Sequence, residues 1–374
     1  MLTNTENSFT KYKLSCYFIM LSNIQLHLSN VVGVGAVQLA KSLLPSLLNN
    51  NLVSVSQVIL PDRGDLSCFE PSGQLTNHII HKRFLPNFLS RFFECIVPYH
   101  VPRNTALLVL GDLPLNTEAK QIVFLQTSNL VRYFKPSLSI DFCKYRAAQY
   151  IFSTNEKYVN QFIVQTDVMK QKLEAFYPSV CGRVSVLPQP VPAWLSQSFV
   201  KRVGRNHDGA LRLFYPAAYY PHKNHLLLSK IDNPEYWPIE QLILTIDSEK
   251  NPNKKWSSIS CLGFIRPNQV ISFYQSCDAL LFLSNEESFG FPLVEAMYCG
   301  LPIICPDLPY ARTLCGDEAI YFESNNIESL RDAIIDLANK LESGWWPCWE
   351  HALESIPSSW ESVAEEMLKI AIKK

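Results

Sequence analysis

Short, uninterrupted apolar runs recur along this 374-residue chain, with helical patterns set between them. "ALLVL" at Ala106–Leu110, "DALLFLS" at Asp278–Ser284 and "LPIIC" at Leu301–Cys305 show no alternation of apolar and polar residues. A strand reads this way when both of its faces are covered, as in a parallel sheet packed between helices. The strands expected on this basis are Leu52–Leu60, Ala106–Leu110, Gln121–Gln126, Gln149–Ser153, Phe162–Gln165 and Arg183–Leu187. A second series follows at Leu211–Tyr215, Gln241–Ile246, Ser257–Leu262, Asp278–Leu283, Leu301–Cys305 and Ala319–Phe322. Helical spacing marks Ala36–Leu48, Asp167–Phe176, Pro267–Ser276 and Ile327–Leu341. The alternation predicts an α/β protein with right-handed crossovers.

The length exceeds one ordinary domain of about 100–200 residues, so two are expected. The stretch "LPQPVPAWLSQSFVKRVGRNHDGA", Leu187–Ala210, begins with three prolines, turns polar, and reads as the linker. That predicts a front domain over 1–195 and a rear domain over 196–356. The first 25 residues show neither a basic leader nor a small-residue cleavage site. Their apolar run of about eight residues is shorter than the roughly 20 that span a bilayer. Leu14–Leu21 is therefore expected to be the first strand. Eleven scattered cysteines with no CxxC pair suit a reduced, cytoplasmic protein. The net charge of −1 divides into +6 over residues 1–195 and −7 over the remainder. A basic front half suits an anionic partner or a membrane surface, although ordinary scatter accounts for it equally well.

Loops after strands are where ligands of such sheets bind. In "NEESFGFPLVEAMYCG", Asn285–Gly300, a turn at Gly290 leads into a helix expected to carry Pro292 at its first position and Glu295 in its first turn. Free amides at a helix start suit a phosphate, and a carboxylate accepts hydrogen bonds from two neighbouring hydroxyls. Phosphate on amides and hydroxyls on Glu287 and Glu295 together describe a nucleotide-sugar. The simpler reading is a helix start complemented by Glu295, with Glu287 solvated. In "LFYPAAYYPHKNHLLL", Lys223 follows a strand and lies at an expected helix start near Pro221–His222, where a cation suits a diphosphate better than it suits the helix dipole. Gly33-x-Gly35 opens another helix, either for close packing or to line a cleft. It lacks the third glycine and the acidic ribose ligand of a dinucleotide site. Asp112 and Gln126 end two further strands. Asp112 reads equally as a base, an acceptor ligand or a turn residue.

Glu287-x7-Glu295 around "FGFP", followed by "EAMYCGLPIICPDLPY", resembles the retaining glycosyltransferases of family 4. These have the GT-B fold, two Rossmann-like parallel-sheet domains facing across a cleft. The likeness is close over Arg212–Asn339 and looser from Val31 to Pro192. It implies that Glu287 faces the donor sugar and that Glu295 holds the ribose. Ser288, Phe289, Gly290 and Phe291 then meet sugar and diphosphate, Gly263 and Phe264 meet the base, and Gly35 and Gly33 line the cleft. Lys223 matches the donor-phosphate lysine. An arginine often stands six residues earlier, where this chain has Ala217, so His222, Asn224 or His225 is expected to share the load. Gln126 takes the place of a histidine and cannot titrate. Gln165, Thr166 and Lys170 stand where the front domain reaches the cleft. The resemblance further implies a C-terminal helix, about 357–374, packed back on the front domain.

The implied reaction is transfer of a sugar, with retention, from a nucleotide-sugar to a saccharide or lipid-linked saccharide in polysaccharide assembly. No Asp-x-Asp or histidine–carboxylate cluster is present, so no metal or cofactor is expected. Nucleic acid is not an expected partner. A GT-B epimerase and a non-catalytic nucleotide-sugar binder are the rival readings. The stretch Lys82–Val97, with Phe84, Leu85, Phe88, Phe92, Phe93 and Ile96 at helical spacing, either rests on the inner face of a membrane or packs into the core. "GWWPCW", Gly344–Trp349, reads as packing.

Overall fold

The computed structural model describes residues 23–70, 78–81, 87–134, 140–196 and 209–373. The expected strand Leu14–Leu21, Lys82–Leu85 and much of the linker lie outside these residues. Thirteen strands form two sheets among the described residues. The front sheet holds β1 (Asn23–His27), β2 (Ser54–Pro61), β3 (His78–His81), β4 (Thr105–Val109), β5 (Gln121–Phe124), β6 (Gln161–Val164) and β7 (Val184–Val186). The rear sheet holds β8 (Leu211–Tyr215), β9 (Ile239–Leu244), β10 (Ile259–Cys261), β11 (Ala279–Leu281), β12 (Ile303–Pro306) and β13 (Ile320–Phe322). Every pairing is parallel. The orders are β3-β2-β1-β4-β5-β6-β7 and β10-β9-β8-β11-β12-β13. Each sheet reverses its winding once, between β1 and β4 and between β8 and β11. Loops diverge at such a reversal and leave a crevice beyond the strands' carboxyl ends.

The unbroken apolar runs have the expected cause. In β4, Leu108 packs on one face of the front sheet with Ala106, while Leu107 and Val109 pack on the other. The first face is covered by the helices Val34–Leu48 and Trp360–Ile372, which pack on each other. Met367 and Leu368 are fully buried there, about 1.5–3 kcal/mol each by area, and Trp360 Nε1 donates to the Val191 carbonyl at 2.9 Å. The chain's last helix thus closes the core of its first sheet. Phe291 packs against both this core and that of the rear sheet.

Gln149–Ser153 is not a strand; it lies inside the helix Ile140–Asn155. Its run of "YIF" is short enough to suit either period, and tertiary contacts decide. Ile151 and Phe152 enter the core beside Phe162, and the Gln149 amide donates to the Arg132 carbonyl at 2.8 Å. No disulfide joins any of the ten described cysteines. In "GWWPCW", Trp346 and Trp349 donate from Nε1 to the carbonyls of Gly300 and Leu301 at 2.8 and 3.0 Å, clasping the end of the "EAMYCG" helix. Part of the amphipathic stretch forms the helix Asn87–Ile96, on which Leu89, Phe93 and Ile96 are exposed and Phe92 and Cys95 are inward. No helix among the described residues is long and apolar enough to cross a membrane.

Candidate active site at the meeting of two sheet edges

Lys223 and Glu287 follow β8 and β11, the two strands that flank the rear sheet's reversal. Lys223 Nζ lies 2.5 Å from Glu287 Oε1, with the two side chains 15% and 11% exposed. The two residues are 64 positions apart in the chain, and they meet because β8 and β11 are adjacent strands whose loops lie side by side. Several hydrogen bonds sew these loops together. The His222 carbonyl accepts from the Asn285 amide at 2.8 Å and from Ser284 Oγ at 3.2 Å. Tyr215 Oη donates to the Lys223 carbonyl at 2.7 Å. Asn285 is the hub: its Oδ1 accepts from Ser324 Oγ at 2.8 Å and Asn224 Nδ2 at 3.3 Å, and its Nδ2 donates to Asn325 Oδ1 at 3.0 Å.

The Lys223 segment differs from the expected helix start. Pro221–Lys223 and His225–Lys230 are 3₁₀ turns separated by Asn224, whose φ of 56° is left-handed. Asparagine tolerates that conformation better than most side chains. His222 and His225 do not supply the missing cation. Burial and the nearby Lys223 charge lower the pKa of both, His225 to about 4, so they are neutral near pH 7. Ala217 is buried.

The helix that follows the Glu287 loop spans Phe291–Tyr298, with Gly290 as N-cap at φ 103°. Pro292 is therefore its second residue, and Glu295 lies beyond the first turn, facing inward. A Cβ on Gly290 would come within 3.3 Å of Leu293 Cδ1, so both backbone angle and space call for glycine. The amides of Phe289, Gly290 and Phe291 have no hydrogen-bond acceptor among the described residues. Phe289 itself is buried. Glu295 is not the open, two-oxygen grip expected. It is 8% exposed, and Tyr274 Oη donates to its Oε2 at 2.8 Å, leaving Oε1 without a partner among the described residues. Burial pushes its carboxyl up to about 7, and the Tyr274 hydrogen bond opposes that rise.

Gly263 has φ 70°, and its amide donates to the Ile246 carbonyl at 2.9 Å, so its N–H is already engaged. The Phe264 side chain is largely exposed. Gly33 caps the helix Val34–Leu48 and Gly35 lies within its first turn. No atom would stand within 4 Å of an added Cβ at either, which removes close packing as their reason.

On the front sheet the polar groups are turned inward. Asp112, at φ 67°, accepts from the Gln126 amide at 2.5 Å. Burial raises its pKa, with that amide, Arg91 and the Thr127 amide acting against the rise. This is the turn role of the three readings. Gln126 Nε2 donates to the Leu110 carbonyl at 2.8 Å, so its amide is directed at the strand end, and Oε1 is buried without a partner. Thr166 caps the helix Asp167–Phe176 at the Met169 amide, and Gln165 is buried.

The two edges touch through the loop Asn285–Gly290. Ser288 Oγ donates to the Gln126 carbonyl at 2.8 Å, and Thr166 Oγ1 donates to the Ser288 carbonyl at 3.2 Å. Glu286 meets Lys172 at 3.4 Å and Arg132 at 3.5 Å. Tyr274, Asn285, Arg132 and Lys172 were not singled out by sequence. Tyr274 reads as one more apolar position of an amphipathic helix, and the other three declare themselves only through contacts distant in the chain. Among the described residues no group of His, Cys, Asp and Glu is placed to hold a metal ion.

Two parallel-sheet domains joined across a cleft, with the last helix returned to the first domain, define the GT-B fold. The solved structure of WaaG, a glycosyltransferase involved in lipopolysaccharide biosynthesis, superposes with a TM-score of 0.59 at 14% identity, covering 94% of this chain and all of that one. Residues 253–343 match the family model for glycosyl transferases group 1. Over 87 residues the chain is 25% identical to O-antigen chain mannosyltransferase B of Escherichia coli, 23% of this chain and 22% of that protein. Over 133 residues it is 28% identical to the serotype-specific mannosyltransferase WbdA of Escherichia coli, 36% of this chain and 16% of that protein. The chain thus matches less than a quarter of the length of either relative.

Proposed function

We propose that this protein transfers a hexosyl group from a nucleotide-sugar to a saccharide or lipid-linked saccharide acceptor, with retention of configuration and without a metal, in the assembly of a polysaccharide. The observation that carries the reading is the Lys223–Glu287 pair on the loops flanking the rear sheet's reversal, beside three amides with no acceptor among the described residues at a helix start. In this reading the amides and Lys223 Nζ take the negative charge that gathers on the departing diphosphate, a role for preorganised donors in a partly dry site. Glu287 orients the sugar's hydroxyls, and Glu295 Oε1 accepts from the ribose. The bond from the sugar's anomeric carbon to the diphosphate breaks as that to the acceptor oxygen forms on the same face. The acceptor's proton passes to a phosphate oxygen of the leaving group. Such a step asks for no titrating side chain at position 126, which suits glutamine.

The match of residues 253–343 and the mannosyltransferase relatives support the reaction class. Exposed Ile79, Ile80, Leu89, Phe93, Ile96 and Val97 near the edge of the front sheet support contact with a lipid-borne acceptor or a membrane surface. The test is a thermal-shift screen of nucleotide-sugars one at a time, since a ligand that binds the native state raises its melting temperature. Transfer by the hit is then followed by NMR at the anomeric centre. Stereochemical retention and no effect of chelator are expected. If no nucleotide-sugar binds, and a folded Glu295→Ala protein matches the parent in every assay, the proposal is lost. Conversion of the donor without any acceptor would indicate an epimerase, and binding without turnover a carrier.

A further inference from the structure

A diphosphate leaving group carries more than one negative charge, and Lys223, the cation on the loops that flank the rear sheet's reversal, is already paired with Glu287. The neighbouring histidines are neutral near pH 7 because burial and Lys223 depress them, and Asn224 is engaged with Asn285. The charge must come from elsewhere. The side chains paired onto the next residue of the donor loop, Glu286, belong to the front domain: Arg132 at 3.5 Å and Lys172 at 3.4 Å. Arg132 meets Glu286 through Nε. Its Nη1 and Nη2 have no hydrogen-bond acceptor among the described residues, and its side chain is 39% exposed. Its charge is close enough to act on His222, as Lys223 does. The loop that carries it is fixed from beneath, because buried Gln149 donates to the Arg132 carbonyl at 2.8 Å and accepts from Arg146 Nη1 at 2.9 Å.

We propose that Arg132, on the front domain, is the second cation for the donor's diphosphate, which takes it over from the Glu286 carboxylate that pairs with it in the free protein, with Lys172 assisting. The inference rests on the nucleotide-sugar reading of this same site. A guanidinium offers two parallel N–H donors to phosphate oxygens, which an ammonium does not. Because this cation comes from the opposite domain, the diphosphate bridges both domains, and donor binding favours the closed cleft.

The experiment measures binding of UDP, GDP and ADP, and of their monophosphates, by titration calorimetry to the full chain and to Arg132→Ala, Arg132→Lys and Glu286→Gln. The parent should prefer at least one diphosphate to its monophosphate. Arg132→Ala should weaken that diphosphate by about tenfold or more, the scale of a charge-assisted pair, and the monophosphate by no more than about twofold. Arg132→Lys should fall between. Glu286→Gln should hold or raise diphosphate affinity, since it removes a competing carboxylate. Arg132→Ala with an unchanged diphosphate-to-monophosphate ratio overturns the inference while leaving the donor site in place. So does a Glu286→Gln protein that reproduces the Arg132→Ala loss, which would make the pair only a clasp between domains. A parent that binds none of the six nucleotides overturns the site and the inference together.

Discussion

At the reversal of the rear sheet, Lys223 and Glu287 meet at 2.5 Å, with Glu295 behind them keeping one oxygen free. At the reversal of the front sheet, Glu94 is also buried, but Ser29 Oγ donates to it at 2.6 Å, and His27 and His81 stand 3.2 and 3.7 Å away. The geometry of the two edges is alike and the electrostatics are opposite. Burial would raise the Glu94 pKa, yet His27 beside it, the Ser29 hydrogen bond and the nearby His81 bring it down to about 2. Glu295 has only Tyr274 and is pushed up to about 7. A carboxylate whose partners are all within the protein stabilises the fold. One left short of partners destabilises it and is available to a ligand. By this measure the rear edge keeps a carboxylate oxygen open, while the front edge engages its carboxylate within the protein.

The largest expected effect is at Lys223. Lys223→Ala should lower turnover by about 10²–10³, the usual loss for one charge-stabilising donor, in a transfer assay at saturating donor with folding checked by circular dichroism. A loss under threefold would place the diphosphate elsewhere. Next is the contrast between the two carboxyls. Glu295 binds its proton more tightly folded than unfolded, so between about pH 4.5 and 7 its contribution to stability declines as pH rises. Glu295→Gln should therefore stabilise the free protein at pH 8 by up to about 3 kcal/mol, seen in denaturant melts, while weakening nucleotide binding. Parent affinity for a nucleotide should rise through about pH 7 as the carboxyl ionises.

Glu94 should behave in the reverse sense. Its folded pKa is depressed, so its contribution is complete above about pH 4.5 and disappears as pH falls toward 2. Glu94→Gln should destabilise the protein at pH 7 by about 2–3 kcal/mol and leave nucleotide affinity within about twofold. A large loss of nucleotide affinity in this variant would erase the distinction between the edges. The smallest effect is expected at their contact. Ser288→Ala removes one hydrogen bond to the Gln126 carbonyl, about 1 kcal/mol, and should raise the donor KM severalfold with little change in kcat.

The fold class was legible because covered strands leave unbroken apolar runs, and in most of the rear domain the runs found their strands to within two residues. Where a run was short and its flanks polar, as at Gln149–Ser153, period and propensity could not separate strand from helix, and the packing of Ile151 and Phe152 decided. The donor loop was legible for a local reason: Gly290, the proline after it and the glutamates lie within a dozen residues, and a turn's chemistry is written in its own residues. Tyr274 was not, because a tyrosine at an apolar helical position looks the same whether or not its hydroxyl finds a buried carboxyl.

Two α/β units and the turn at Gly290 could be read from the residues alone, since each depends on neighbours along the chain. The meeting of Lys223 with Glu287, the half-engagement of Glu295 by Tyr274 and the reach of Arg132 to Glu286 from the other domain came from the folded chain. Those outcomes depend on which strands lie side by side at each reversal and on how two sheet edges meet, and both are set by packing between segments far apart in the chain.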